Sequence, residues 1–136
     1  MVMTETRHIL LVDDHATIRH ELAQVLAEEG IGECSEAAGR KEALEATECE
    51  SPDVALVDLS PATEESFALI AELCSRNIPV LICSTHEEAR YVRRALASGA
   101  RGYITKREAP RDLARAVRDV LDGWTLISPR ATESLR

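Results

Sequence analysis

Four times in this chain a short, continuous apolar run stops against a polar residue, and between the runs the apolar spacing turns helical. I-L-L-V meets Asp13-Asp14, V-A-L-V meets Asp58, V-L-I-C meets Ser84, and a last run, Arg101 to Thr105, meets Lys106. Runs of this length, bounded by turn formers, suit strands buried on both faces of a parallel sheet. A weaker strand is expected around Gly32 to Glu36. The helical stretches place Ile18, Leu22, Val25 and Leu26 on one stripe, then Arg40 to Glu48. Phe67, Ile70, Ala71 and Cys74 follow on Glu64 to Ser75, and Val92, Ala95 and Leu96 on Glu87 to Ala97. The last stripe is Leu113, Ala116, Val117, Val120 and Leu121 on Pro110 to Leu121. Strand and helix alternate five times, which predicts an α/β fold with helices on both faces of a parallel sheet.

Right-handed crossovers would bring the C-terminal ends of these strands to one edge, where open α/β sheets bind ligands. That edge would collect Asp13, Asp14, Asp58, Ser84 and Lys106. Clustered carboxylates repel unless a cation joins them, and Mg²⁺ takes such hard oxygen donors, with phosphate oxygens as further ligands. A lysine and a hydroxyl opposite would meet the remaining oxygens of a transferred phosphoryl group. The set predicts phosphoryl transfer to a carboxylate. Each residue has a plainer reading. Asp14 and Ser84 would serve as helix caps, and Lys106 as ordinary surface. Yet the chain has two lysines, Lys41 and Lys106, against fourteen arginines. A lysine at a strand end therefore suits a site wanting a compact point charge.

The remaining composition excludes more than it assigns. The net charge of -8 argues against the whole chain gripping nucleic acid. Residues 1–86 carry 5 basic and 17 acidic side chains, whereas residues 87–122 carry 9 and 6, so one region is net positive. Cys34, Cys49, Cys74 and Cys83 lack C-x-x-C spacing and read as reduced thiols. With no secretory pattern at the start, they predict a cytoplasmic protein, and no apolar run is long enough to cross a membrane. His15 and His20, five apart, fall on different helix faces, so no histidine metal cluster is expected. His86 borders the site.

With these residues in order, the chain resembles the receiver domain of bacterial two-component response regulators, over about Arg7 to Ser128. The stretch A-L-A-S-G-A-R-G-Y-I-T-K and the tail L-I-S-P resemble the NarL/FixJ subfamily, which carries a LuxR-type helix-turn-helix output domain. The resemblance implies a flavodoxin-like (βα)5 fold, doubly wound, with strand order 2-1-3-4-5. It implies that Asp58 accepts a phosphoryl group from a sensor histidine kinase. Asp13, Asp14, Asp58 and the backbone carbonyl of Ser60 would hold Mg²⁺, and Lys106 would pair with the phosphoryl oxygens. Ser84 and Tyr103 would be the switch residues, Ser84 moving to the phosphoryl group and Tyr103 turning inward. Tyr103 as half-buried strand filler is the alternative. A signalling domain that assists its own phosphorylation and dephosphorylation, rather than an enzyme, follows. A homodimer through helix four, strand five and helix five is implied, with DNA reached only through an output domain beyond this chain.

The pattern also departs from the family. Pro61 comes one position early and restricts Ser60, and Ser66 replaces an expected glycine. Arg107 follows the lysine where many relatives have a cis proline, and a trans bond is expected because a cis bond there would cost about 2.5 to 4 kcal/mol. The alternative function is thus a phosphorylation-independent pseudo-receiver acting as an interaction module. An aspartyl phosphatase would place an acid where Ser60 stands. The organisation expected is a flexible 1–7, a receiver domain over 8–122, and a tail at 123–136 that begins a linker, with Trp124 and Leu126 folding back on the domain.

Overall fold

Successive residues of a strand point to opposite faces, and here both sets are apolar. In a computed structural model describing residues 7–59, 62–86, 88–106 and 110–127, the strands therefore lie between two layers of helix. The order is β1 (His8–Val12), α1 (Ala16–Glu28), β2 (Glu33–Ala37), α2 (Arg40–Cys49), β3 (Val54–Val57), α3 (Glu64–Ser75), β4 (Val80–Ser84), α4 (Ala89–Ala97), β5 (Gly102–Thr105), α5 (Pro110–Leu121) and β6 (Leu126–Ile127). All pairings are parallel, in the order β2-β1-β3-β4-β5-β6. The five strands run 2-1-3-4-5 as expected, and a two-residue sixth extends the sheet past β5.

One core contains Leu10, Val12, Ala55, Val57, Val80, Ile82 and Tyr103, packed with Phe67, Leu69, Ile70 and Leu73 of α3 and Val92 and Ala95 of α4. The other contains Ile9, Leu11, Val54, Leu56, Leu81, Cys83 and Ile104, packed with Leu26 of α1 and Leu113, Ala116, Val117 and Val120 of α5. Fully burying each such Leu, Ile or Val contributes roughly 1.5–3 kcal/mol. This holds the strands in one register and so places their ends.

Several expectations are corrected. On α3 the buried stripe is Phe67, Leu69, Ile70 and Leu73, while Ala71 is exposed and Cys74 half-buried. The two leucines remove more apolar area from water than alanine and set the helix phase. On α1 only Leu26 is buried; Ile18, Leu22 and Val25 are half-buried because they line a cavity of about 350 Å³ facing Cys83 and Leu113. Trp124 does not fold back. It is 67% exposed, beyond a turn in which Gly123 takes φ 93 and the amides of Gly123 and Trp124 bond Val120 and Asp119 carbonyls at 3.0 Å each. Arg7, assigned to the flexible start, has its carbonyl bound by the Glu33 amide at 3.0 Å. The expectations for Ser60, Pro61, Arg107 and the linker from Ser128 lie outside the described residues, as does Glu87 at the expected start of α4.

Two turns have evident causes. Gly99, at φ +113, lets α4 end against α3; a Cβ there would stand 2.7 Å from the Cys74 sulfur. Ser66, the departure from glycine, closes a reciprocal cap with Thr63 at the start of α3: the Ser66 amide donates to Thr63 Oγ1 at 3.3 Å.

Candidate functional site

Sheet hydrogen bonds carry one residue past the strands and fix the edge. The Asp13 amide donates to the Ala37 carbonyl at 3.0 Å, the Asp58 amide to Val12 at 2.9 Å and the Lys106 amide to Ser84 at 2.9 Å. Asp13, Asp58 and Lys106 are thus brought together by backbone pairing. Lys106 Nζ donates to Asp13 Oδ2 and to Asp58 Oδ2, at 3.0 Å each. The side chains are 14% exposed for Lys106, 4% for Asp13 and 3% for Asp58, the rest of the Asp58 exposure being main-chain.

Burial pushes the Asp13 carboxyl upward, but the His15 amide, Lys106 and the His15 ring outweigh it and hold the group below its usual range. Burial likewise lowers Lys106, and its bonds to Asp58 and Asp13 more than reverse this, so the ammonium is held charged. Two carboxylates facing one lysine leave an excess of negative charge.

Asp14 is more open, its side chain 52% exposed. His15 joins the acids. Its amide donates to Asp13 Oδ1 at 2.9 Å, and its Nδ1 lies 3.1 Å from Asp13 Oδ1 and 2.9 Å from Asp14 Oδ1. Among the described residues one group of metal-type donors occurs, Asp13, Asp14, His15 and Asp58, with ligand atoms all within 4.8 Å of one another. Hard carboxylate oxygens in this number fit Mg²⁺. His15 therefore stands with the acids and not on a helix face opposite His20. His15 is the N-cap of α1 with extended backbone, φ -93 and ψ 97, so its ring does not follow the helix-face rule that separated it from His20.

A cavity of about 270 Å³ opens beside the acids, lined by Asp13, Asp14, Asp58, Gly39, Arg40, Thr63 and Ser66 among others. Arg40, not singled out from sequence, forms an ion pair with Glu72 of α3. An arginine three residues past β2 carries no signal that separates a cavity wall from surface.

Ser84 is fully buried at the end of β4, opposite Thr105 in register, and its Oγ accepts from the His86 amide at 3.1 Å. Tyr103 is also fully buried, and its hydroxyl donates to the His86 carbonyl. The ring is inward here, not half-buried. Burial raises the phenol to about 12, with the Ser84 bond opposing. His86 packs its ring on Tyr91 at 4.7 Å between centroids, so a short chain of contacts links β4, β5 and α4. The Cys83 thiol beneath the site is pushed up to about 12 by burial, and the four cysteines are free.

Residues 9–118 match the family model of the response regulator receiver domain. The chain is 33% identical over 131 residues to the oxygen regulatory protein NreC of Staphylococcus epidermidis, covering 93% of this chain and 60% of that protein. It is 31% identical over 112 residues to the transcriptional regulatory protein PdtaR of Mycobacterium tuberculosis, covering 82% of this chain and 55% of that protein. The chain thus spans little more than half the length of these curated relatives. Among solved structures it is similar to a LuxR-family two-component response regulator from Aurantimonas sp. SI85-9A1, with a TM-score of 0.88, 25% identity and 96% of both chains covered. It is also similar to the signal receiver domain of the response regulator NarL from Mycobacterium tuberculosis, at a TM-score of 0.78 and 29% identity, covering 88% of this chain and 99% of that one.

Proposed function

The chain belongs to the response regulator receiver domain family, and from that membership we propose that it is a phosphorylation-dependent switch with Asp58 as phosphoacceptor. The observation that carries this reading is Lys106 Nζ standing 3.0 Å from Oδ2 of both Asp13 and Asp58. A carboxylate oxygen of Asp58 attacks the phosphorus of a phosphohistidine on a sensor kinase. The P–O bond forms as the P–N bond breaks, and the electron pair returns to the imidazole nitrogen. Lys106 then pairs with a phosphoryl oxygen and neutralises charge spread over the transferring group. Asp13, Asp14 and Asp58, with the Ser60 carbonyl, are the residues that would hold Mg²⁺, and the ion when bound neutralises phosphoryl charge.

The added charge, roughly -1.5 to -2, acts on Ser84. Its hydroxyl turns to the phosphoryl group and releases its place beside His86 and Tyr103. The response is read on the face made by α4, β5 and α5, in the net-positive part of the chain, which serves as a homodimer or output contact. DNA binding belongs to an output domain joined through the segment that follows β6, the expected receiver over 8–122 being extended in the sheet by Leu126–Ile127. Among the described residues no helix is long and apolar enough to cross a membrane, and the cytoplasm is the compartment of a kinase-fed switch. Incubation with Mg²⁺ and acetyl phosphate, followed by intact mass, yields one phosphoryl adduct that Asp58→Asn abolishes. An unchanged mass under donor excess sinks the reading.

A further inference from the structure

We propose that His15 is a nitrogen ligand of the metal site, so that the site takes imidazole-favouring divalent ions such as Ni²⁺, Fe²⁺ or Zn²⁺ more tightly, relative to Mg²⁺, than its carboxylates alone would. The inference rests on the phosphoacceptor reading insofar as both need a divalent ion beside Asp58.

The placement comes from the backbone. His15 follows the acid pair directly, and its extended conformation as the N-cap of α1 takes the ring off the helix surface. Its own amide, bonded to Asp13 Oδ1 at 2.9 Å, holds the residue over the acids. The atom nearest them is Nδ1, at 3.1 Å from Asp13 Oδ1 and 2.9 Å from Asp14 Oδ1. Donors on adjacent corners of an octahedron with bonds of about 2.1 Å stand about 3.0 Å apart. Both separations match that edge. Opposite corners of the same octahedron stand about 4.2 Å apart, so the four donors, which lie within 4.8 Å of one another, draw slightly closer when they share one shell.

A neutral imidazole offers one lone pair, and the ring side chain is 54% exposed, so the other nitrogen has solvent for its proton. Imidazole nitrogen favours the later first-row ions, whereas carboxylate and water suit Mg²⁺ and Mn²⁺. Adding one nitrogen to an oxygen set therefore changes the ratio of affinities rather than only their size. The competing account is that Nδ1–H is a hydrogen-bond donor shared by the two acids. In that case the ring leaves or stays without touching the ion.

The test uses the whole, tag-free chain. Loaded with Mn²⁺ and examined by electron spin-echo envelope modulation, the protein shows nitrogen coupling to the ion. The coupling disappears in His15→Ala and persists in His20→Ala. In calorimetric titrations the ratio of Ni²⁺ to Mg²⁺ affinity falls in His15→Ala by at least the 10–100-fold that loss of a mere outer-shell partner costs. Mn²⁺ bound without nitrogen coupling, or an unchanged ratio, overturns the inference and leaves the phosphoacceptor reading standing. Failure of both Mg²⁺ and Mn²⁺ to bind overturns the two together.

Discussion

The two ends of the sheet both carry charged and polar pairs, and they are built on opposite principles. At the N-terminal edge the His8 amide donates to Asp53 Oδ2 and the Asp53 amide to the His8 carbonyl, both at 2.7 Å. Arg7 lies 4.0 Å from Asp53 with 47% and 40% of the side chains exposed, and the His8 ring meets Ser35 Oγ at 2.9 Å. Each group there has a partner and water, and the result is a pin between β1, β2 and β3. At the C-terminal edge the carboxylates of Asp13 and Asp58 are nearly closed off from water and share one lysine. Buried charge is costly for folding unless it is paired and hydrogen-bonded, and here the buried carboxylates, Asp13 and Asp58, stand at the C-terminal edge, which separates a site from a pin.

The widest contrast between the edges is chemical. Asp53→Asn keeps the phosphoryl adduct at wild-type yield, whereas Asp58→Asn loses it, as read by intact mass with acetyl phosphate. An adduct that survives Asp58→Asn would erase the distinction. Next in size is stability. Lys106→Met leaves two buried carboxylates facing each other and costs about 2–3 kcal/mol in urea unfolding, toward the low side for a broken buried pair because the lysine keeps some solvent contact. Millimolar Mg²⁺ restores part of the loss. Arg7→Ala, at an exposed pair, costs less than about 1 kcal/mol.

The pH dependence follows the same division. Asp13 is depressed in the folded protein, so its contribution is whole above the unfolded carboxylate value of about 3.9 and is lost as pH falls through the lower folded value. Lys106 is raised. Its contribution is whole below about 10.4 and is lost as pH rises through the folded value. Tyr103, raised to about 12, weakens the fold on the same alkaline side. Urea midpoints followed with pH then show an acid limb that flattens in Asp13→Asn and an alkaline limb that Lys106→Met and Tyr103→Phe each flatten in part. An acid limb unchanged by Asp13→Asn would place the responsible carboxylates elsewhere.

Much of the C-terminal edge was legible in the sequence because strand period and strand end are both local signals. V-A-L-V followed by Asp58 states its own burial and its own exit. The N-terminal edge was silent, since His8, Ser35, Glu50 and Asp53 meet only through register, and no spacing announces a pairing across three strands. His15 was misread for a different reason. Its side chain was assigned to a helix face, while the residue is the cap, where backbone dihedrals and not the 3.6-residue period set direction. β6 has two residues and no period to detect. The phase of α3 was misjudged because Ala71 and Leu73 count alike in a binary pattern and unlike in buried area.

The smallest effect tests whether the N-terminal edge is only a pin. Ser35 is half-buried on β2, and its hydroxyl and the His8 ring form a hydrogen bond next to Glu50, 3.8 Å from the other ring nitrogen. Serine, histidine and an acid in that order invite comparison with a hydrolytic triad. Neither the cavity beside the acids nor the one under α1 is lined by these residues, and the Glu50 side chain is 67% exposed, so the contact reads as strand pairing. Ser35→Ala then removes one hydrogen bond that water partly replaces, costing about 0.5–1 kcal/mol, with Mg²⁺ affinity and adduct yield unmoved. A double-mutant cycle of His8→Ala with Ser35→Ala gives a coupling no larger than that. The same cycle across Lys106 and Asp13 gives a larger one, because there each single change leaves a buried charge behind. Equal couplings at the two edges would mean that burial, and not the number of partners, had been misjudged.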